Sequence, residues 1–384
     1  MAGATISRRD VLRWRFLNQG LHHPSATASD PAGVALLDYG VQDTGTDGAG
    51  WALANRGVAG AGGDDLAFAW TLRGAPHAYR RSDLAAVAVA TAPWSEADAA
   101  KRIFDASKPL KAAGIAVLDA LRVLAGFMRD LAAEPIVKGE ISSRLAGMVD
   151  EPYLRYCRPC DAIHLYEMPF RLAALQAGLE LEPGTSPPVL RRIPKLRPPA
   201  YGHLGGEAEA SFDVVRNHLR FYGAARVRDV AEFVDAPLKE IQAHWPDDAV
   251  EVRVDDVPAA GKRDARFALA GDLEAIASGG PPATGRVVRL LAPHDAYLQL
   301  RDRELLVGDE GRRKDLWRPL GRPGAIVADG EILGTWRPRA AGRRLTVRLE
   351  AWVSIGARDR ALVEEEAERL AAYRGVTLAG VDQA

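Results

Sequence analysis

"SFDVVRNHLRFYGAARVRDVAEFVDAPLKEIQAHW", residues 211–245, decides how the chain is read. Residues 211–222 have helical composition and stop at Gly223, a second helix spans 227–234, and Pro237 opens a third that runs to His244. Two strand-like runs follow, "AVEVRVDD" (249–256) and "DARFALA" (264–270). Three helices and a β-wing are the order of a winged helix.

The order occurs once upstream. Residues 108–132 form an amphipathic helix with Ile115, Leu118, Leu121, Leu124 and Phe127 at three-residue steps, broken by Pro135 and Gly139. A short helix Glu140–Met148, a turn at Pro152, a longer helix from Asp161 to Leu179 and the hairpin "LELEPGTSPPVLRRI" (179–193) complete it. Before it, helical stretches at 7–20, 31–38, 47–57 and 82–90 surround the strand and turn of "LAFAWTLRGAPHAYR" (66–80). From 285 the reading turns to strands, in "RVVRLLAP", "DAYLQL", "ELLVG", "GAIVADGEILGTWR" and "RLTVRLEAW". Asp329-Gly330 is a type I′ hairpin signal, because both central residues of that turn need positive φ. A helix from Asp359 to Arg374, with a solvated Glu-rich face, closes the chain. The expected fold class is α+β: tandem winged-helix modules with a β-rich C-terminal unit. Its divisions are an N-terminal winged-helix-like unit (1–100), modules at 101–200 and 201–280, the β unit at 281–355, and a helix and tail at 356–384.

Apolar residues make up 47% and charged residues 26% of 384, the profile of a globular rather than a disordered chain. Fifty basic against 51 acidic side chains advertise neither nucleic acid nor membrane, so any such binding needs local patches. Residues 301–348 carry 12 basic against 7 acidic side chains, and "LRRIPKLRPPA" (190–200) carries 4 basic and none acidic. "SRRDVLRWRFL" resembles a twin-arginine signal, but Arg13 and Arg15 interrupt its apolar core, and no run of 18 apolar residues exists to span a membrane. Two cysteines fit a reducing cytoplasm.

Three constellations carry possible chemistry. Cys157-Arg-Pro-Cys160 with His164 has metal or redox spacing, but no second C-x-x-C or His pair supplies four zinc ligands, and a thioredoxin-like βαβ context is absent. Two cysteines packed at a helix start, with no metal or other cofactor, are the expectation. "LRGAPHAYRRSDL" (72–84) groups Arg73, His77, Arg80 and Arg81; Arg80 and Arg81 suit phosphate contacts and His77 an active site, against a reading as solvated charges. Gln42, Asp43 and Thr44 precede a helical segment, where composition alone favours capping over catalysis.

The order of "VLRWRFLNQGL" (11–21), "GVQDT" (40–44), "LRGAPHAYRRSDL", "KGEISSRL" (138–145), "HLRFYGAARVRDVAEFV" (218–234), "LLAPHDAYLQLRDRELL" and "VADGEILGTWRP" resembles the AlkZ-like DNA glycosylase family from residue 7 to about 355. The resemblance implies winged-helix modules and a β unit forming a basic concave surface on double-stranded DNA. It also implies metal-free hydrolysis of the N-glycosidic bond of bulky N-alkylated purines, with interstrand crosslinks among the substrates of some members. The family's catalytic pair lies in a Gln-hydrophobic-Gln or Gln-hydrophobic-Asp motif. Here Gln42 matches the first position, Asp43 stands at the hydrophobic one and Thr44 at the second catalytic one.

The expected site is thus Gln42 orienting a water, Asp43 supplying the carboxylate, Thr44 holding water, and His77. Arg80, Arg81, Arg191, Arg192, Lys195, Arg197, Arg312, Arg313, Lys314, Arg337 and Arg339 are the expected DNA contacts. The implied protein is a monofunctional, monomeric repair enzyme of the cytoplasm, associated with the nucleoid. The alternative is a winged-helix DNA-binding or protein-binding protein without catalysis.

Overall fold

In the computed structural model the three helices of the 211–245 stretch form where their caps place them. The structure describes residues 4–23, 30–58, 64–194, 196, 207–255, 257, 264–280 and 285–383. Asp213 caps the helix Val214–Tyr222 by accepting from the Arg216 amide at 2.6 Å, and the helix stops at Gly223. Asp229 accepts from the Arg226 amide at 3.0 Å at the head of Val227–Val234, which ends on Asp235 in the left-handed region. Leu238–Ala243 is the third helix. Ala249–Val254 and Arg266–Leu269 then pair antiparallel, flanked by Ala225–Arg226 on one side. On the other side lies Ala4–Ile6, parallel to Ala249–Val254. Residues at the start of the chain therefore complete the sheet of the 201–280 segment.

A six-stranded antiparallel sheet follows the order Val41–Gln42, Pro76–Arg80, Leu66–Trp70, Leu179–Leu181, Val189–Arg192, Ile136–Val137. The hairpin of the N-terminal segment and the hairpin of the next one are joined by a single pair, Phe68 with Leu181. Two helix expectations need correction here. Residues 108–132 are two helices, Ser107–Ala112 and Val117–Leu131, because the chain turns at Gly114 with φ +72°. Residues 161–179 are not one helix: Leu154–Cys157 and Ala162–Leu165 form a hairpin whose turn puts Asp161 at φ 48°, and only Glu167–Gln176 is helical. The C-x-x-C pair therefore occupies a hairpin connection rather than a helix start, and Cys157 is a free, half-buried thiol.

The C-terminal sheet runs Val288–Leu291, Gly324–Ala328, Glu331–Ala341, Arg344–Ala351, Thr377–Gln383. Asp329 and Gly330 have φ of 49° and 96°, as the turn signal requires. The tip is packed against the rest of the fold, since a Cβ at Gly330 would lie 2.5 Å from the Leu12 carbonyl. "DAYLQL" and "ELLVG" are not strands but a 3-10 turn at Ala296–Leu298 and a short helix at Arg303–Leu306. The tail is a strand parallel to Arg344–Ala351, reached through the helix Ala357–Tyr373 as a right-sized crossover. Glu366 of that helix is buried against Arg289 rather than solvated.

Candidate active site and nucleic-acid interface

Gln42 ends an edge strand opposite His77, and the chain then leaves the sheet for the helix Gly48–Ala54. That helix is anchored from below: Trp51 is fully buried in the C-terminal core and donates to the Leu290 carbonyl at 2.7 Å. The loop between, residues 43–47, is thus held at both ends. Along it runs a directed chain of hydrogen bonds. Arg73 donates to Gln42 Oε1 at 2.9 Å, and Gln42 Nε2 donates to Thr44 Oγ1 at 3.0 Å. Gln42 is fixed in orientation by this pair, and the Thr44 hydroxyl, having accepted, keeps its proton to donate.

Arg73 holds the head of the chain in a strained pose, at φ 58°, because its guanidinium bonds the Phe233 carbonyl at 2.8 Å and lies 4.2 Å over the Phe233 ring. Burial and then the neighbouring Arg301 pull its pKa down to about 10, still a full positive charge at neutral pH. Asp43 turns toward the helix: Oδ1 accepts from the Ala49 amide at 2.9 Å. Its other oxygen makes no hydrogen bond among the described residues. A Cβ at Gly48 would overlap Oδ1, so glycine there makes room for the carboxylate.

Thr44 opens on a pocket of about 290 Å³ between this loop and the C-terminal sheet, lined also by Asp47, His294, Arg322, Trp336 and Arg337. Arg374 pairs with Asp47 at its edge. His294 is kept neutral, at about 4, by burial and then by Arg322 and Arg73. Burial, with Arg301 beside it, also lowers the Arg322 guanidinium, and burial, Arg301 and Arg322 bring Arg303 to about 10. Of these mutually repelling cations Arg322 lines the pocket itself, and Arg301 acts on both Arg322 and Arg303. His294, Arg301, Arg303 and Arg322 were missed in the sequence; the signal was the charge pattern in "LQLRDRELL", whose Asp302 is fully buried while Arg301 and Arg303 are half-buried.

His77 does not reach the pocket wall. It is 2% exposed, within 3.1 Å of Thr71 Oγ1 and 2.9 Å of the Ala75 carbonyl, and burial together with Arg73 holds it neutral at about 3. Arg80 is ion-paired with Asp38 and Asp83, and Arg81 and Arg191 share the buried Glu180. Arg192 is exposed and bonds the Arg129 carbonyl; Lys195 and Arg197 lie outside the described residues. Arg312 stacks on Trp352, Arg313 bonds the Val307 and Gly308 carbonyls, and Lys314 pairs with Glu310 at the surface. Arg337 and Arg339 line a second, shallow concavity of about 410 Å³ with Arg348, Arg337 reaching Asp315 at 3.4 Å. Among the described residues no three His, Cys, Asp or Glu side chains come together to hold a metal, and no helix is long and apolar enough to cross a membrane.

The model of the family "DNA glycosylase AlkZ-like" matches residues 59–373. The fold is similar to that of Streptomyces sahachiroi DNA glycosylase AlkZ, with a TM-score of 0.67 at 20% identity, over 99% of this chain and 100% of that one. A search of curated proteins gives no match.

Proposed function

The chain belongs to the AlkZ-like DNA glycosylase family, and on that premise we propose that it hydrolyses the N-glycosidic bond of bulky N-alkylated purines in double-stranded DNA. The observation that carries this reading is the chain Arg73, Gln42, Thr44, which ends with a hydroxyl on the wall of a pocket that His294 and Arg322 also line.

A purine alkylated at N7 or N3 is already a cationic leaving group, so the protein has little acid catalysis to supply. Water held by Thr44 and Gln42 attacks the sugar C1′, the bond to purine nitrogen breaks with its electron pair going to the base, and the water's proton passes to solvent. Positive charge develops on the sugar as the bond opens, and the unbonded oxygen of Asp43 is the nearby negative charge that stabilises it. His77, buried and neutral, serves by packing behind Gln42 rather than by exchanging protons. We read Val214–Leu269 and the 101–200 segment as winged-helix modules that present Arg192 and the exposed arginines of the C-terminal sheet to the phosphates. Arg80, Arg81, Arg191, Arg313 and Lys314, which have partners within the chain, act first on the fold and reach DNA only by leaving those partners. The enzyme works as a monomer on DNA in the cytoplasm.

The test is base release from duplexes carrying N7-methylguanine or a nitrogen-mustard crosslink, with wild type, Gln42→Ala, Asp43→Asn and Thr44→Val. Loss of positioning or charge is expected to slow release by roughly 10²-fold or more for Gln42→Ala and Asp43→Asn. One observation favours a second reading: Asp43 Oδ1 is already engaged by the Ala49 amide, as in a simple cap. Undiminished, salt-sensitive DNA binding with no base release by wild type would establish that second reading, a non-catalytic DNA-binding protein.

A further inference from the structure

Arg301, Arg303 and Arg322 differ from most arginines the structure describes. Several buried ones elsewhere are matched to a carboxylate: Arg15 and Arg266 share Asp302, Arg56 grips Asp295, and Arg226 holds Asp229. Arg301, Arg303 and Arg322 have no carboxylate partner and no side-chain hydrogen bond among the described residues, although the Nε of each is shut off from water. His294 Nδ1 and Gln299 Nε2 are buried and unpartnered in the same way. Five buried nitrogens left unsatisfied within one short stretch and its neighbour are rare in a folded protein, where buried polar groups find partners.

The scaffold shows that this is built. Asp295, next to His294, is clamped by Arg56 at 2.9 Å through both oxygens. Asp302, between Arg301 and Arg303, is clamped by Arg15 and Arg266 at 2.9 and 3.0 Å. The two acidic side chains of the stretch are thereby spent on the fold, and the basic ones are left without a counter-charge. Arg303 is steadied by lying 5.1 Å over the Trp317 ring. His294 and Arg322 line the same pocket as Thr44. Arg301 presses electrostatically on Arg73, the residue that orients Gln42.

We propose that His294, Arg301, Arg303 and Arg322 form a socket for a single backbone phosphodiester of the bound strand, beside the nucleotide presented to Gln42 and Thr44. This rests on the glycosylase reading above and adds where the strand is gripped. The fork of N–H donors on each guanidinium matches phosphate oxygens, and one monoanion among these cations relieves their mutual repulsion and satisfies the orphaned nitrogens together. A neutral His294 can donate to it directly. The target nucleotide is then positioned by its own backbone, close to the hydrolytic residues and independently of which base it carries.

The experiment is a methylphosphonate scan. A duplex with one uncleavable tetrahydrofuran abasic site is synthesised with a neutral methylphosphonate at one linkage at a time, and binding is followed by fluorescence anisotropy for wild type, Arg301→Gln, Arg322→Gln and the double variant. Wild type is expected to lose roughly tenfold in affinity at one linkage next to the abasic site, the size of one lost charged contact. The double variant should be blind to that linkage, and its salt slope should be lower by about 1 for each arginine removed. Removing unpaired like charges is also expected to raise the melting temperature of both single variants, which shows that they fold. A penalty at the same linkage that persists in the double variant overturns the socket. Stabilisation of wild type by inorganic phosphate, with no linkage in the scan mattering, overturns the strand assignment and leaves a free-phosphate site. Failure of the glycosylase reading looks different: one sensitive linkage, lost in the double variant, together with no base release from N7-methylguanine duplexes keeps the socket and removes only the chemistry.

Discussion

Asp43 and Gly48 show how much of the site depends on one missing atom. Gly48 sits at φ +41° with the Asp43 carboxylate in the space a Cβ would take, so Gly48→Ala forces Asp43 off the Ala49 amide. Gly45, at φ +90°, is equally left-handed but has nothing within 4 Å of its would-be Cβ. Both alanine variants are expected to lose about 1–2 kcal/mol of stability from the backbone alone. Only Gly48→Ala should also slow base release from N7-methylguanine duplex, beyond what Gly45→Ala does. Equal rates in the two variants would show that the carboxylate's position is indifferent to the reaction. At this scale the sequence was half legible. "QDT" before a helix identified three polar side chains and weighed capping for the segment, and in the structure it is Asp43 that accepts from the Ala49 amide. Arg73 could not be read as the residue that fixes Gln42, because that contact depends on a left-handed backbone at a non-glycine position, which sequence does not signal.

Elements were most legible where turn chemistry is local. Asp329-Gly330 specified its hairpin, and Gly223 with Pro237 bounded the helices on either side of Val227–Val234, because those residues act on their own φ and ψ. Elements set by distant partners were not legible. Thr377–Gln383 has no apolar alternation and is a strand because Arg344–Ala351 offers it an edge, and Ala4–Ile6 is a strand because Ala249–Val254 does. "ELLVG" has strand composition but turns helical where Asp302 is clamped from below. The Asp329-Gly330 turn also shows an element seated on another. A Cβ at Gly330 would meet the Leu12 and Arg13 backbone of the helix Arg8–Asn18, whereas Gly342, at the tip of the neighbouring hairpin, has open space and a comparable positive φ. Gly342→Ala is therefore expected to cost only the backbone strain, about 1–2 kcal/mol. Gly330→Ala should cost roughly a further 1–3 kcal/mol from overpacking against the helix. Urea unfolding of the two variants gives the difference; equal midpoints would mean that the helix yields without resistance.

Across the whole molecule the segments are held together by charge as well as by apolar packing, and this was the least legible feature. Arg15 looked like an interruption in an apolar run, and nothing in the sequence singled out Asp302. In the fold Arg15 reaches the Tyr222 and Gly223 carbonyls at 2.9 and 3.0 Å and Asp302 at 2.9 Å, and Arg266 comes to the same carboxylate. One aspartate therefore ties the first helix, the 201–280 sheet and the stretch bearing Arg301 and Arg303. Burial opposes its ionisation, but Arg15 and Arg266 outweigh that and hold the carboxyl below its usual range. Asp302→Ala leaves two arginines buried without their counter-charge and is expected to cost about 3–5 kcal/mol. The pH dependence has a definite sign. Because the folded value lies below the unfolded one, near 3.8, the stabilisation is complete at neutral pH and is lost as pH falls below that value. Wild-type stability should then drop steeply on the acid side of pH 4, while Asp302→Asn, lower at every pH, should show a shallower acid limb. Denaturant midpoints of the two proteins between pH 3 and 7 measure this directly, and parallel acid limbs would mean that Asp302 carries no linked proton.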